Sequence, residues 1–430
     1  MQKLFLLLVL IVVFNCSSAQ NLSAEEQKIV LQTEKNYTDM MALLKKVVNI
    51  NSGTFNVNGV KQVGDVFANE LMQLGFTIEW IKLPDSLKRA GHLVAYRKGK
   101  KGKKLFLIGH LDTVFEPDMP ENPFTKINDS TITGQGINDM KGGDVIIIAA
   151  MKALHQLNLL EETTITIYMT GDEENAGTPK EVSRADFIAR AKEHDIALGY
   201  EGAIGLNIIA TARRGSSSWK LEVEGKQGHS AGVFSSGGYG AIYEASRIVN
   251  SFRETLSKEQ YLTFNPGLFI GGSEVAVNAA AQEGTASGKT NIISPKTVVI
   301  GDLRFLTEAQ KTNARKTMLA ITQQNLPGTK ASIQFTDGIP AMEPTKGNEF
   351  LAAELSKTNL ALGYGNVVPG NPGSRGAGDI SYIAAYVDCL DGLGASGKGA
   401  HAPGEVLNVP EYLKLMKRSA VFIYRLINQN

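Results

Sequence analysis

Three carboxylates stand side by side at Asp172, Glu173 and Glu174 in the stretch MTGDEENAG, directly after an apolar run. Charges of one sign packed this closely repel, and a solvated turn gains nothing from them. An acidic loop is the ordinary reading of such a run; a bound cation is the sharper one. Four further positions bear on the choice. His110 ends the hydrophobic stretch LIGHLDTV, with Asp112 two residues on. In extended chain both point the same way, so Asp112 can orient the imidazole. Asp139 lies in GQGINDMKGGD, framed by glycines 134, 136, 142 and 143. A glycine-rich turn into a helix could hold a phosphate, but Lys141 is not followed by Ser or Thr, so the P-loop pattern fails. Glu201 follows the strand-like DIALGY, and His401 sits in the glycine-rich GKGAHAPGE.

Taken singly, each is a helix cap, an acidic turn or a surface histidine. Together they supply two imidazoles and three carboxylates and no thiolate. That donor set suits Zn²⁺, with Co²⁺ or Mn²⁺ as alternatives. Five ligands, one of them bridging, serve two metals roughly 3.5–4 Å apart. Water between such ions is acidified into a nucleophile near neutral pH. The adjacent glutamates then divide the labour: one ligates, the other takes the water's proton and passes it to the leaving nitrogen.

The motifs HLDTV, GxGxxDMKGG, GDEExxG, a later acid and a late GxH occur in that order over nearly the whole chain. The sequence in this respect resembles the di-zinc exopeptidases and deacylases, a family that includes glutamate carboxypeptidase, peptidase T, acetylornithine deacetylase and succinyl-diaminopimelate desuccinylase. The resemblance implies that His110, Asp139 and Glu201 hold one zinc and Asp139, Glu174 and His401 the other. It makes Glu173 the general base and Asp112 the support of His110, and implies a cis peptide between Asp139 and Met140. It also implies a lid histidine at His229 (GKQGHSA) that contacts the scissile carbonyl, sometimes from a partner subunit, and substrate contacts at Asn291 (TNIIS) and Arg304 (GDLR). The chain departs from the glutamate carboxypeptidase pattern at Ile339 (DGIPAM), where an arginine would anchor the substrate carboxylate. Arg304, or Arg375 in PGSRGAGD, is left as its replacement.

These groups need strand ends and helix starts to hold them. Residues 24–48 carry apolar positions at helical spacing. FTIEWIKL (76–83), HLVAYRKG (92–99), KLFLIGHLDTV (104–114) and TTITIYMTG (163–171) read as strands, and MKGGDVIIIAAMKALHQL (140–157) as a long apolar helix. The lysine-rich 98–104 stretch reads as a solvated hairpin turn. This alternation predicts an α/β fold: a mostly parallel sheet flanked by helices, with function at the carboxyl ends of the strands. From about Thr211 the texture shifts to strict apolar–polar alternation. Residues 213–338 read as strand, helix, strands, helix and strand, an inserted ferredoxin-like α/β sandwich acting as lid and dimerisation domain. The catalytic domain would then be 20–212 with 339–430.

The chain has 430 residues, a formal net charge of +1 and 43% hydrophobic content, which excludes an electrostatic case for nucleic acid and fits a globular protein of two domains. Residues 1–19, with Lys3, an apolar run and Ala19, read as a secretory signal cleaved after Ala19, for release or periplasmic residence; a lipid anchor at Cys16 is the alternative. No other stretch is apolar enough to span a membrane. Cys389, in an apolar stretch, reads as a buried hydrophobe. The expectation is an exported zinc exopeptidase of carboxypeptidase type, acting on short peptides or N-acyl amino acids as a homodimer. An aminopeptidase, a di- or tripeptidase or a deacylase is the alternative. An inactive peptide-binding module is the remote one, since all five ligands and the base are present.

Overall fold

In the computed structural model, residues 21–278 and 283–429 are described. The expected signal and Cys16 lie outside them. Among the described residues no helix is long and apolar enough to cross a membrane.

A six-stranded mixed sheet forms the centre, in the order Thr77–Ile81, His92–Arg97, Thr163–Thr170, Lys101–His110, Ile196–Gly199, Asp388–Leu390. The last four run parallel to one another, and the first two join antiparallel. The parallel strands read as apolar runs because both faces are covered: Leu105, Phe106 and Leu107 are fully buried, as are Ala197 and Leu198. The 98–104 stretch is not a hairpin turn, because the strand Thr163–Thr170 lies between the two strands it joins. Gly99 and Lys101 cross the start of that strand, with Lys101 N–H donating to Glu162 O at 2.7 Å.

The helix Lys141–Gln156 is buried along almost its whole length. Its triplet Ile146–Ile148 is fully buried in the main core, which the helix Val409–Leu426 also lines. Each such isoleucine contributes about 1.5–3 kcal/mol. The helix begins with two glycines for a steric reason. A Cβ on Gly142 would collide with Ile137 O, and one on Gly143 with Tyr200 O, so only glycine lets the helix start close to the 196–199 strand. The N-terminal helical stretch is two helices, Ala24–Lys35 and Tyr37–Val48, meeting at Asn36. A further helix, Val57–Gln73, had no counterpart in the sequence reading.

A second sheet with its own core lies between residues 215 and 337. Its strands run Thr263–Gly272, Lys296–Phe305, Gly215–Gly225, Thr329–Asp337, all antiparallel. In chain order that is second, third, first, fourth, the arrangement of a ferredoxin-like sandwich. The alternation seen in the sequence places Trp219, Leu221 and Val223 on the buried face, against Ile248 and Phe252 of the helix Gly240–Leu256 and Met318 of the helix Glu308–Thr322. A small third sheet, Gly397–Lys398, Val406–Asn408, Thr131–Thr133, Thr125–Asn128, pairs Val406 with Thr133. That pairing sets the loop before Asp139 against the loop carrying His401.

Candidate metal centre

The parallel strands deliver the site at their carboxyl ends. His110 is the last residue of its strand and pairs in register with Thr170, which immediately precedes the acidic turn; Ile108 pairs with Gly199, which precedes Glu201. Asp139 arrives from the turn before the long helix, and the Asp139–Met140 peptide is cis. His401 comes from the loop between the small-sheet strands, with φ of +64°, a left-handed conformation uncommon outside glycine.

Two groups of possible ligand atoms result, each within 4.8 Å: His110, Asp139 and Glu201, and Asp139, Glu174 and His401. His110 Nε2 is 3.2 Å from Asp139 Oδ1 and 3.9 Å from Glu201 Oε1. His401 Nε2 is 3.0 Å from Asp139 Oδ2 and 3.1 Å from Glu174 Oε2. Asp139 thus presents one oxygen to each group. The other oxygen of Glu174 is buried with no hydrogen-bond partner among the described residues. Carboxylate oxygens and imidazole nitrogens converging this way, one of them orphaned, form a donor set that fits two divalent cations.

The acidic turn splits in two directions. Asp172 faces inward: its carboxylate meets Arg184 Nη1 at 2.5 Å and accepts from Ser183 Oγ at 2.7 Å and Gly177 N–H at 2.9 Å. Arg184 is itself buried and reaches Asp379 Oδ1 at 2.7 Å, whose other oxygen accepts from Thr170 Oγ1 at 2.6 Å. His92 braces the same turn, accepting Gly171 N–H at Nδ1 and, at Nε2, lying 2.9 Å from Ser183 O. Glu173 and Glu174 face the metal groups. Their backbone N–H groups donate to the Asp112 carboxylate at 3.0 and 3.1 Å, and Thr54 Oγ1 donates to it at 2.6 Å. The structure therefore extends the role expected of Asp112. His110 Nδ1 meets the Asp112 main-chain oxygen at 3.0 Å, with the carboxylate at 3.5 Å, and the carboxylate mainly fixes the two glutamates.

Electrostatics separate the glutamates and histidines. Burial, then the charge of Glu201, holds the Glu173 carboxyl well above the usual range. Burial and Asp139 push Glu201 up to about 7. Hydrogen bonds to Asp139 and Glu174 raise His401 to about 11. Burial opposes a charge on His110, but Asp112, Asp139 and Glu201 outweigh it and hold it high. Burial lowers Lys141 to about 7; its Nζ donates to Ile50 O at 2.8 Å, so this lysine is a structural post beneath the turn.

The other expected contacts fall elsewhere. His229 and Asn291 sit together on the second sheet's side, where Ser230 N–H donates to Asn291 O at 2.9 Å, and both side chains are exposed. Arg304 is engaged with Asp302 at 3.1 Å, and among the described residues no hydrogen bond or ion pair joins it to the five candidate ligands. Arg375 is different. Its guanidinium donates to Gly202 O, next to Glu201, and feels the charges of Glu201 and Asp139. Neighbouring Arg213 pairs with Asp391 and donates to Gly376 O at 2.7 Å, holding the Arg375 loop in place. Ile339 is tied by its backbone to Ser216 at 2.8 and 3.2 Å. Thr54, His92, Arg184, Arg213 and Glu405 were given no role from the sequence, although Glu405 closes the stretch GKGAHAPGE. Only Glu405 had a sequence cue, lying four residues past His401 in the same loop.

A mixed sheet whose parallel strand ends carry two carboxylate–imidazole groups sharing one aspartate is the arrangement that a dinuclear metal-dependent hydrolase requires. The family model described as Peptidase family M20/M25/M40 matches residues 106–428. The chain belongs to this metallopeptidase family. It is 28% identical over 388 residues to carboxypeptidase G2 of a Pseudomonas species, strain RS-16, covering 88% of this chain and 85% of that protein. Among solved structures it resembles aminopeptidase PepT from Bacillus cereus, with a TM-score of 0.68, 16% identity and coverage of 90% and 98%. It also resembles the dinuclear metal-binding M20 peptidase YXEP of Bacillus subtilis, with a TM-score of 0.65, 14% identity and coverage of 92% and 100%. At such identities the structural likenesses speak for the fold alone.

Proposed function

We propose that the chain is an exported, zinc-dependent exopeptidase of carboxypeptidase type that hydrolyses an amide bond of short peptides or N-acyl amino acids. The observation that carries the reading is Asp139, whose two carboxylate oxygens each face a separate ligand group at 3.2 and 3.0 Å. His110, Asp139 and Glu201 would hold one cation, and Asp139, Glu174 and His401 the other. Cations held there supply Lewis acidity and a water acidic enough to attack near neutral pH, with Co²⁺ or Mn²⁺ as substitutes for Zn²⁺.

The chain's own residues do the rest. Glu173 lies beside both groups yet belongs to neither. Its carboxylate would take the proton of the attacking water and return it to the leaving nitrogen. Asp112 holds the Glu173 backbone and keeps the base clear of the ligands. His229, exposed beyond the cluster, would meet the oxyanion when residues 213–338 act as a lid, supplied across a homodimer formed by that domain. Arg375 would anchor the substrate carboxylate that Ile339 cannot. The 28% identity to a carboxypeptidase supports that polarity.

An aminopeptidase, di- or tripeptidase or deacylase is the second reading, favoured by the missing arginine at Ile339; an inactive binding module is the remote one. Cleavage near Ala19 would release the protein to the periplasm or medium, and acylation at Cys16 would tether it. The test is metal analysis of purified protein, with a hydrolysis screen of dipeptides blocked at either end and of acyl amino acids, before and after chelation. Chelation-sensitive cleavage of substrates with a free C-terminal carboxylate is expected. Cleavage only of substrates with a free amino terminus would transfer the assignment to the second reading.

A further inference from the structure

Glu405 is fully buried and contributes to neither ligand group. Its carboxylate points into the turn that carries Asp139. Oε1 accepts from Asn138 N–H at 2.6 Å and from Asp139 N–H at 2.8 Å, and Oε2 from Gly136 N–H at 3.1 Å. The Glu405 main-chain oxygen accepts from Thr133 Oγ1 at 2.7 Å, just before the same turn. Three backbone N–H groups of one tight turn thus converge on one side chain, a geometry built for an anion. Gly136, with φ of +68°, is what lets the turn aim its N–H inward.

The sequence position of Glu405 gives this contact its consequence. Glu405 closes the loop that carries His401, with Glu405 N–H donating to Ala402 O at 3.2 Å and Ala402 N–H to Gly399 O at 3.1 Å. Asp139 and Glu405 are 266 residues apart in the chain. We propose that Glu405 is a positioning residue that clamps the Asp139 turn to the His401 loop and so sets the spacing of the cage formed by Asp139, Glu174 and His401. Strand pairing of Val406 with Thr133 brings the two loops near each other; the carboxylate fixes them. Neutral glutamine would keep an oxygen for two of the three N–H groups and set an amide N–H against the third, so Glu405→Gln loosens the turn without removing its bulk.

The inference rests on the two-cation reading of the site. It is tested by titrating metal-free protein with Zn²⁺ in a calorimeter and by following amide exchange of the segment 134–140 in the same metal-free samples. Glu405→Gln should weaken Zn²⁺ binding by about 10–100-fold, the scale of losing a group that orients ligands, with faster exchange over 134–140. Glu405→Ala should do more on both counts. A Glu405→Gln protein that binds Zn²⁺ within twofold of the wild type and exchanges at the same rate over 134–140 overturns the clamp. A wild-type protein that binds no divalent cation overturns the proposed function instead, and the exchange data then decide separately whether Glu405 anchors the turn.

Discussion

Asp172 and Glu174 are two residues apart on one turn, yet they sit in opposite electrostatic situations. Asp172 is saturated: an arginine, a hydroxyl and a backbone N–H satisfy its oxygens in a fully buried pocket. Glu174 shares one oxygen with His401, and its other is buried without a partner among the described residues. Burying a carboxylate is costly unless it is paired, so the first cluster is complete as it stands and the second implies a cation from outside. Adjacent acids that look redundant in the sequence are therefore a foundation and a site.

The sharpest way to break this contrast is on the site side. Glu173→Gln should lower kcat by about 10²–10⁴-fold, the range for a lost general base, while metal analysis returns the wild-type content. A variant that keeps its turnover would remove Glu173 from proton transfer. One that loses its metal would move Glu173 into the ligand set.

On the foundation side the expected loss is of stability. Arg184→Met leaves Asp172 and Asp379 buried without their cation, which should cost about 3–5 kcal/mol in denaturant unfolding. Adding Asp172→Asn and Asp379→Asn should recover part of this, because a neutral cluster no longer carries an unpaired charge. Zn²⁺ should raise the Tm of the Arg184 variant as it does that of the wild type, since ligands that bind only the folded state stabilise by mass action. A loss of metal binding equal to that of a His401→Ala variant would show that the two clusters are one.

The two sides were unequally legible in the sequence. The five candidate ligand positions could be read because each sits at a strand end or in a glycine frame, where local pattern predicts exposure at one edge of the sheet. Arg184 could not, because nothing within a helical turn of it announces Asp379, which lies 195 residues away. Thr54 and Asp112, 58 residues apart, are hidden in the same way. The second sheet was legible because one face is solvated and the alternation survives. The small sheet that joins the Asp139 and His401 loops was not, its strands having two to four residues and too little length for a period. The false hairpin at 98–104 came from reading neighbours in sequence as neighbours in the sheet.

Arg375 tests the rim of the site. Its guanidinium donates to Gly202 O, beside Glu201, and has no carboxylate partner among the described residues, whereas Arg213 is committed to Asp391. Arg375→Ala should raise KM by about 10–100-fold for substrates with a free C-terminal carboxylate, the value of a hydrogen bond to a charged group. C-terminally amidated substrates should be nearly unaffected. Equal losses for both would make Arg375 a prop for the Gly202 carbonyl.

The smallest expected effect belongs to His92, and it separates the foundation from the site by pH. Burial, then the nearby Arg184 charge, holds the imidazole below its usual value of 6.5. Geometry gives the same sign: Nδ1 accepts Gly171 N–H, so a second proton there would face a donor. Below about 6.5 the unfolded chain binds this proton and the folded one resists it, so stability falls as pH drops toward the folded-state value. Below that value both states are protonated and the loss is complete. His92→Gln, which keeps an acceptor and a donor but does not titrate, should flatten the pH dependence of unfolding below 6.5. The change in slope is at most about 1.4 kcal/mol per pH unit, one proton's worth. Metal-free protein is the right sample, and the difference between wild type and variant cancels the titration of His110 and His401 common to both. An unchanged slope would mean that the Gly171 turn gives way before His92 is protonated, and that the inward cluster rests on Arg184 alone.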